Sequence, residues 1–150
     1  MKYALYPLLA EDNMIQITYD ELNPEIVTQS TMQDTNGAVV TFLGTTRDTF
    51  EGKTVIHLEY EAYETMAIQK LHEISDETKQ KYNLSDISIS HRIGTVGVGE
   101  ISLIVAVASP HRAEAFKACN DLVDRLKEVV PIWKKEIYSD GSRWVGSEHI

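Results

Sequence analysis

The eight residues Ile101-Ser102-Leu103-Ile104-Val105-Ala106-Val107-Ala108 constrain this chain more than any other stretch. The run is nearly all apolar, so it lacks the polar alternation of a half-solvated strand, and it is short for a helix. It suits a strand covered on both faces. Such a strand needs partners within its sheet and packing layers on either side, so it belongs at the centre of a domain.

The segments around it supply those layers. Residues 39–43, Val-Val-Thr-Phe-Leu between Gly37 and Gly44, and residues 55–60 read as strands. The connection between them, 44–53, is long for a hairpin and has Arg47 at its centre, and long loops between rigid strands often carry function. From Tyr63 the positions Tyr63, Ala67, Leu71, Ile74, Thr78 and Tyr82 recur at three- and four-residue spacing, which predicts an amphipathic helix ending before Asn83. Residues 87–93 alternate with period two, placing Ile87, Ile89, His91 and Ile93 on one face, and the glycines at 94, 97 and 99 make a turn.

Ser109 as cap and Pro110 at the first helical position predict a second helix, with Phe116, Cys119, Leu122 or Val123, Leu126 and Val130 as its buried stripe and Pro131 as its end. Residues 132–138 read as extended, followed by a turn at Asp140-Gly141 and a short Trp144-Val145 segment. Toward the N-terminus, residues 14–19 alternate like a strand, Asn23-Pro24-Glu25 opens a short helix, and the polar stretch 28–36 reads as mobile. The expectation is a single α+β domain over residues 1–150: a mixed, mostly antiparallel sheet with two principal helices, an α/β-hammerhead-like arrangement.

Charge narrows the function. With 23 acidic against 14 basic residues, net −9, the chain is a poor partner for nucleic acid or an anionic membrane surface. Between His111 and Lys135 the balance reverses: Arg112, Lys117, Arg125, Lys127, Lys134 and Lys135 face Glu114, Asp121, Asp124 and Glu128. Residues 1–7 are too short in apolar run for a signal peptide, and no window approaches the ~20 apolar residues of a membrane span, so a cytoplasmic location is expected. The single Cys119 excludes an internal disulfide and a cysteine-based metal site. Histidines at 57, 72, 91, 111 and 149 show no ligand spacing, so no metal is expected.

Several motifs have ordinary readings. Gly94-Thr95-Val96-Gly97-Val98-Gly99 joins strand to strand, whereas a dinucleotide loop opens a helix. Cys119 sits in the apolar stripe as a small hydrophobe, and no serine lies in a Gly-x-Ser-x-Gly elbow. Arg47 alone reads as a loop charge, and His111-Arg112 is equally a solvated helix start or an anion site. Lys127, one turn before the helix end, suits the free carbonyls there. Lys134 is different. In an extended 132–138 it shares a face with Ile132 and Glu136 while Trp133 and Lys135 point away, and partial burial there depresses a lysine pKa.

Taken together, these blocks resemble the large, catalytic subunit of molybdopterin synthase, the MoaE family. The resemblance covers residues 37–145. It rests on Gly37-Ala38, Phe42-Leu43-Gly44 with Arg47, Leu58-Glu59-Tyr60-Glu61-Ala62-Tyr63 with Met66-Ala67, and His91-Arg92-Ile93-Gly94 with Gly99-Glu100. It continues through Ser109-Pro110-His111-Arg112, Ala115-Phe116-Lys117-Ala118-Cys119, Leu126-Lys127, Pro131-Ile132-Trp133-Lys134-Lys135-Glu136 and Asp140-Gly141 with Trp144-Val145.

The resemblance implies an enzyme of molybdenum cofactor biosynthesis that needs no cofactor of its own. It installs two sulfurs in a cyclic pyranopterin phosphate as the molybdopterin dithiolene. Each sulfur arrives as a thiocarboxylate on the C-terminal Gly-Gly of a small ubiquitin-like subunit, a role closed to a chain ending Glu148-His149-Ile150. The family is a dimer of large subunits with a small subunit at each end, a heterotetramer whose pocket can draw on both large chains. Position by position, it assigns the pterin ligand to Thr45, Thr46 and Arg47, to His111 and Arg112, and to Lys127, Lys134, Lys135 and Glu136. This chain departs from the pattern at Thr46, where an aliphatic residue is more usual. In the expected mechanism Arg47, His111 and Arg112 hold the phosphate, Lys127 neutralises the thiocarboxylate, and Lys134 moves protons, the two lysines being exchangeable in role. A non-enzymatic module binding a ubiquitin-like tail or phosphate metabolite, and a Schiff-base lyase or isomerase, are the competing classes.

Overall fold

The computed structural model describes residues 14–146; the 1–7 stretch, His149 and the Glu148-His149-Ile150 end lie outside them. The apolar run forms β7 (Ile101–Ser109), and its burial on both faces has a visible cause. Leu103, Val105 and Val107 face α2 (Glu64–Tyr82) and α3 (Arg112–Val129), while Ile104 and Ala106 face α1 (Pro24–Gln29) through Val27. β7 pairs antiparallel with β5 (Asp86–Arg92) on one side and β2 (Ala38–Thr45) on the other. β1 (Ile15–Thr18) joins β5 in parallel, giving the order β1-β5-β7-β2.

A second sheet carries β3 (Thr49–Phe50), β4 (Lys53–Ala62), β8 (Ile132–Tyr138) and β9 (Gly141–Val145) in that order, with β6 (Gly94–Gly97) also paired to β4. Its own small core is Val55, Leu58 and Tyr138, with Phe50 and Tyr60 packed against them. The expected α+β domain with a mostly antiparallel sheet is present. It divides into two sheets, and α1 joins the two long helices.

Several local expectations change. The glycine segment is not a simple turn: residues 94–97 pair with β4, and the reversal falls at Gly99, which has positive φ. The 44–53 connection is partly ordered by the β3–β4 hairpin, turned by Glu51 and Gly52 at positive φ. Helix α3 starts at Arg112, with His111 as N-cap, because Ser109 ends β7 and its Oγ accepts the His111 N–H at 3.3 Å.

The α3 stripe is Ala115, Ala118, Cys119, Leu122 and Leu126; Phe116, one position round the helix, is 61% exposed. At α2 the stripe begins at Ala67, and Tyr63 is the exposed N-cap. The start of the 28–36 stretch is held: Ser30 and Thr31 are buried, Ser30 Oγ lies 2.6 Å from Ser88 Oγ, and Thr28 Oγ1 lies 2.9 Å from Thr41 Oγ1. These hydroxyls satisfy one another, so a polar sequence there does not require solvent.

Candidate active site

Helix α3 ends because Pro131 supplies no N–H and keeps Val130 extended. The chain doubles back immediately into β8, and the Pro131 carbonyl accepts the Tyr63 N–H at 3.1 Å, fixing the reversal to the start of α2. Lys127 in the last turn of α3 and Lys134 in β8 are thereby brought to the same end of the molecule.

Ladder register then builds a face across the second sheet. Tyr60 of β4, Lys134 of β8 and Val145 of β9 lie directly opposite one another, and the next row on that face is Leu58, Glu136 and Arg143. Lys134 is half-buried, and burial is the main cause of its lowered pKa. The nearby Glu136 carboxylate opposes that shift, while the positive charges of Lys127, Arg47 and Arg143 add to it. Arg47 from a loop, Lys127 from a helix end and Arg143 from β9 thus lie near enough to Lys134 for their charges to act on it, with one buried carboxylate opposing them. Glu136 is 4% exposed and accepts the Tyr138 hydroxyl at 2.6 Å, a bond that also holds the Tyr138 pKa above its ordinary value.

Arg47 follows directly on a pinned backbone. The Thr46 N–H donates to Glu100 O at 3.1 Å and Gly99 N–H donates to Thr46 O at 2.9 Å. Glu100 is held in turn by Arg92 at 2.7 Å and by the Gly97 N–H at 3.0 Å. The Thr46 side chain is buried, and its Oγ1 finds no hydrogen-bond partner among the described residues. Thr46→Val keeps the shape and both backbone bonds while removing the orphaned hydroxyl, so a gain of about 1 kcal/mol is expected, read as a thermal midpoint about 3 °C higher. A lower midpoint means that the hydroxyl is paired in solution.

Beneath the site, Tyr60 donates to Ser102 Oγ at 3.3 Å, and Ser102 donates to Gly44 O at 3.3 Å. His91 packs edge-on to the Tyr60 ring, and burial pushes its pKa down to about 4, so it is a neutral core residue at pH 7. Cys119, with a thiol pushed up to about 11 by burial, is equally inert.

Not every expected residue joins this cluster. Lys135 is on the other face of β8, its ammonium 5.5 Å from the Trp144 ring centroid. Thr45, exposed at the end of β2, stands at the cluster's end of the sheet, two residues before Arg47. His111 and Arg112 are exposed at the opposite end of the sheet: Ala38 pairs with Ser109, whereas Thr45 pairs with Ile101. That ladder spans roughly 25 Å, and α3 separates Arg112 from Lys127 by about 22 Å. Within one chain they do not meet. Conversely, Arg143, Phe50, Tyr60 and Tyr138 belong to the site although no sequence pattern marks them as functional. The meeting of Arg143 with Phe50 is a tertiary property, and a five-residue strand carries little periodic signal.

The family model described as MoaE protein matches residues 1–129. This chain belongs to the MoaE family. Among its relatives, the molybdopterin synthase catalytic subunit of Bacillus subtilis (strain 168) is 42% identical over 133 residues, covering 89% of this chain and 85% of that protein. The Homo sapiens molybdopterin synthase catalytic subunit is 44% identical over 136 residues, covering 91% and 72%. The crystal structure of molybdopterin synthase from Staphylococcus aureus superposes with a TM-score of 0.84 at 43% identity, covering 87% of this chain and 95% of that one. As a MoaE protein the chain is an enzyme of molybdenum cofactor biosynthesis. Among the described residues no helix is long and apolar enough to cross a membrane.

Proposed function

We propose that this chain transfers sulfur from the C-terminal thiocarboxylate of a small ubiquitin-like protein to cyclic pyranopterin monophosphate, forming the molybdopterin dithiolene. The observation that carries this reading is the gathering of Arg47, Lys127 and Lys134 at one site, with Lys134 poised to release its proton more readily than an ordinary lysine. The substrate phosphate and the donor thiocarboxylate are both anionic, and their approach is opposed by Coulomb repulsion unless fixed cations are already present. Here they are placed by strand register, a helix end and a loop pinned at Thr46, so little backbone reorganisation accompanies the reaction.

Arg47 suits the phosphate, because its guanidinium presents several donors in a plane. Lys127, exposed at the helix end, neutralises the thiocarboxylate and the oxyanion that develops when water cleaves the acyl link. Lys134 in its neutral form takes a proton and returns it as sulfur is transferred. Glu136, hydrogen-bonded by Tyr138, holds a negative charge near that ammonium. The name catalytic subunit shared by the relatives supports a separate small partner, the carrier with its C-terminal Gly-Gly. His111 and Arg112 reach the pterin only from a second large chain, so the working unit is a dimer of large subunits within a heterotetramer. A cytoplasmic setting fits a chain whose only cysteine is buried and unpaired.

The test combines the protein, a thiocarboxylated Gly-Gly carrier and the pterin phosphate, followed by mass spectrometry of the pterin. Gain of two sulfurs is the expected outcome. Carrier binding with an unchanged pterin would instead establish a binding module.

A further inference from the structure

No local pattern in the sequence singles out Arg143, yet the fold sets it against the same aromatic ring as Arg47. Its guanidinium carbon is 5.2 Å from the centroid of the Phe50 ring, and that of Arg47 is 5.5 Å from the same centroid. Phe50 is itself braced by the Val55, Leu58 and Tyr138 core, so the ring is a fixed plate. Arg143 comes from β9, directly opposite Glu136 and on the face that carries Lys134.

The only ion pair it makes among the described residues is with Glu51 at 3.7 Å, between exposed side chains. Such a contact is worth little and does not account for the placement. A guanidinium stacked on a ring keeps its edge N–H groups free for bidentate bonds to an oxyanion, and two on one ring present two such edges. We propose that Arg143 and Arg47, organised on Phe50, form a paired-guanidinium seat for the oxyanion end of a substrate. The chemistry fits two sources: the phosphate of the pterin or the carboxylate end of the carrier tail. The seat rests on the sulfur-transfer reading and adds to it a binding residue from a strand not otherwise implicated.

The experiment measures steady-state product formation by Arg143→Ala, varying the pterin phosphate at saturating carrier and then the carrier at saturating pterin. A KM about tenfold higher in one arm, with kcat within about threefold, is expected, and the arm that moves identifies the source. Phe50→Leu should raise the same KM, since it removes the plate while leaving both arginines. Arg143→Lys should recover only part of the loss, because an ammonium lacks the planar fork. Arg125→Ala, which removes a surface charge paired with Glu77 on α2, is the control and should change neither KM. Wild-type turnover with both KM values unaltered in Arg143→Ala, or a fall in kcat alone, overturns the seat while leaving sulfur transfer standing. A wild-type protein that makes no product overturns both.

Discussion

Lys134→Ala is expected to lower product formation by ~10²–10⁴-fold while leaving carrier binding measurable, the size of effect seen when a positioned acid–base group is lost. Lys134→Arg should be as inactive, since a guanidinium stays protonated. For the wild type, activity should rise with pH along a limb whose midpoint lies below the ordinary lysine range, because burial and the Lys127, Arg47 and Arg143 charges favour the neutral amine. Removing a neighbouring cation, as in Lys127→Ala, moves that limb upward. Neutralising the opposing carboxylate, as in Glu136→Gln, moves it downward. Stability is linked to the same proton. A lysine whose folded pKa lies below its unfolded value destabilises the fold wherever it is charged, and that cost fades as pH rises from the folded toward the unfolded pKa. Lys134→Met should therefore be more stable at neutral pH and inactive. Turnover near wild type in Lys134→Ala removes this residue from the chemistry.

The part of this site that is legible in the sequence depends on local rules. The uninterrupted apolar run marks β7, Pro131 marks the end of α3, and period-two alternation alone places Lys134 and Glu136 on one face of β8. Rules of that kind act over a few residues and survive folding. Phe116 escapes them because a stripe drawn through large apolar side chains overlooks Ala115 and Ala118, small residues that let α3 sit close to the sheet. The 94–99 glycines look like a turn because their pairing partner, β4, lies more than thirty residues away along the chain. Arg143 is hidden for a related reason: the ring it lies over, Phe50, is more than ninety residues away along the chain. The tight β8–β9 hairpin places Arg143 opposite Glu136, but nothing within residues 141–145 reports that Phe50 and Arg47 meet it there.

Mixing two inactive variants should restore activity. Arg112 stands at the start of α3 and Lys134 beyond its end, so if both serve one pterin, each site takes Lys134 from one chain and Arg112 from its partner. Lys134→Ala and Arg112→Ala, each purified alone, should be nearly inactive. After the two are unfolded together and refolded, half the dimers are mixed by random reassortment. In a mixed dimer one site combines both defects and the other has neither. Recovery of about a quarter of wild-type turnover is then expected. Lys134→Ala mixed with Lys127→Ala gives the contrast, because those two residues converge within a single chain: every site in that mixture keeps one defect, and no recovery is expected. Failure of the Lys134–Arg112 pair to complement, with mixed dimers present by native mass spectrometry, would remove the His111–Arg112 corner from the pterin site. The phosphate would then be left to the cations of a single chain, Arg47 and Arg143 foremost.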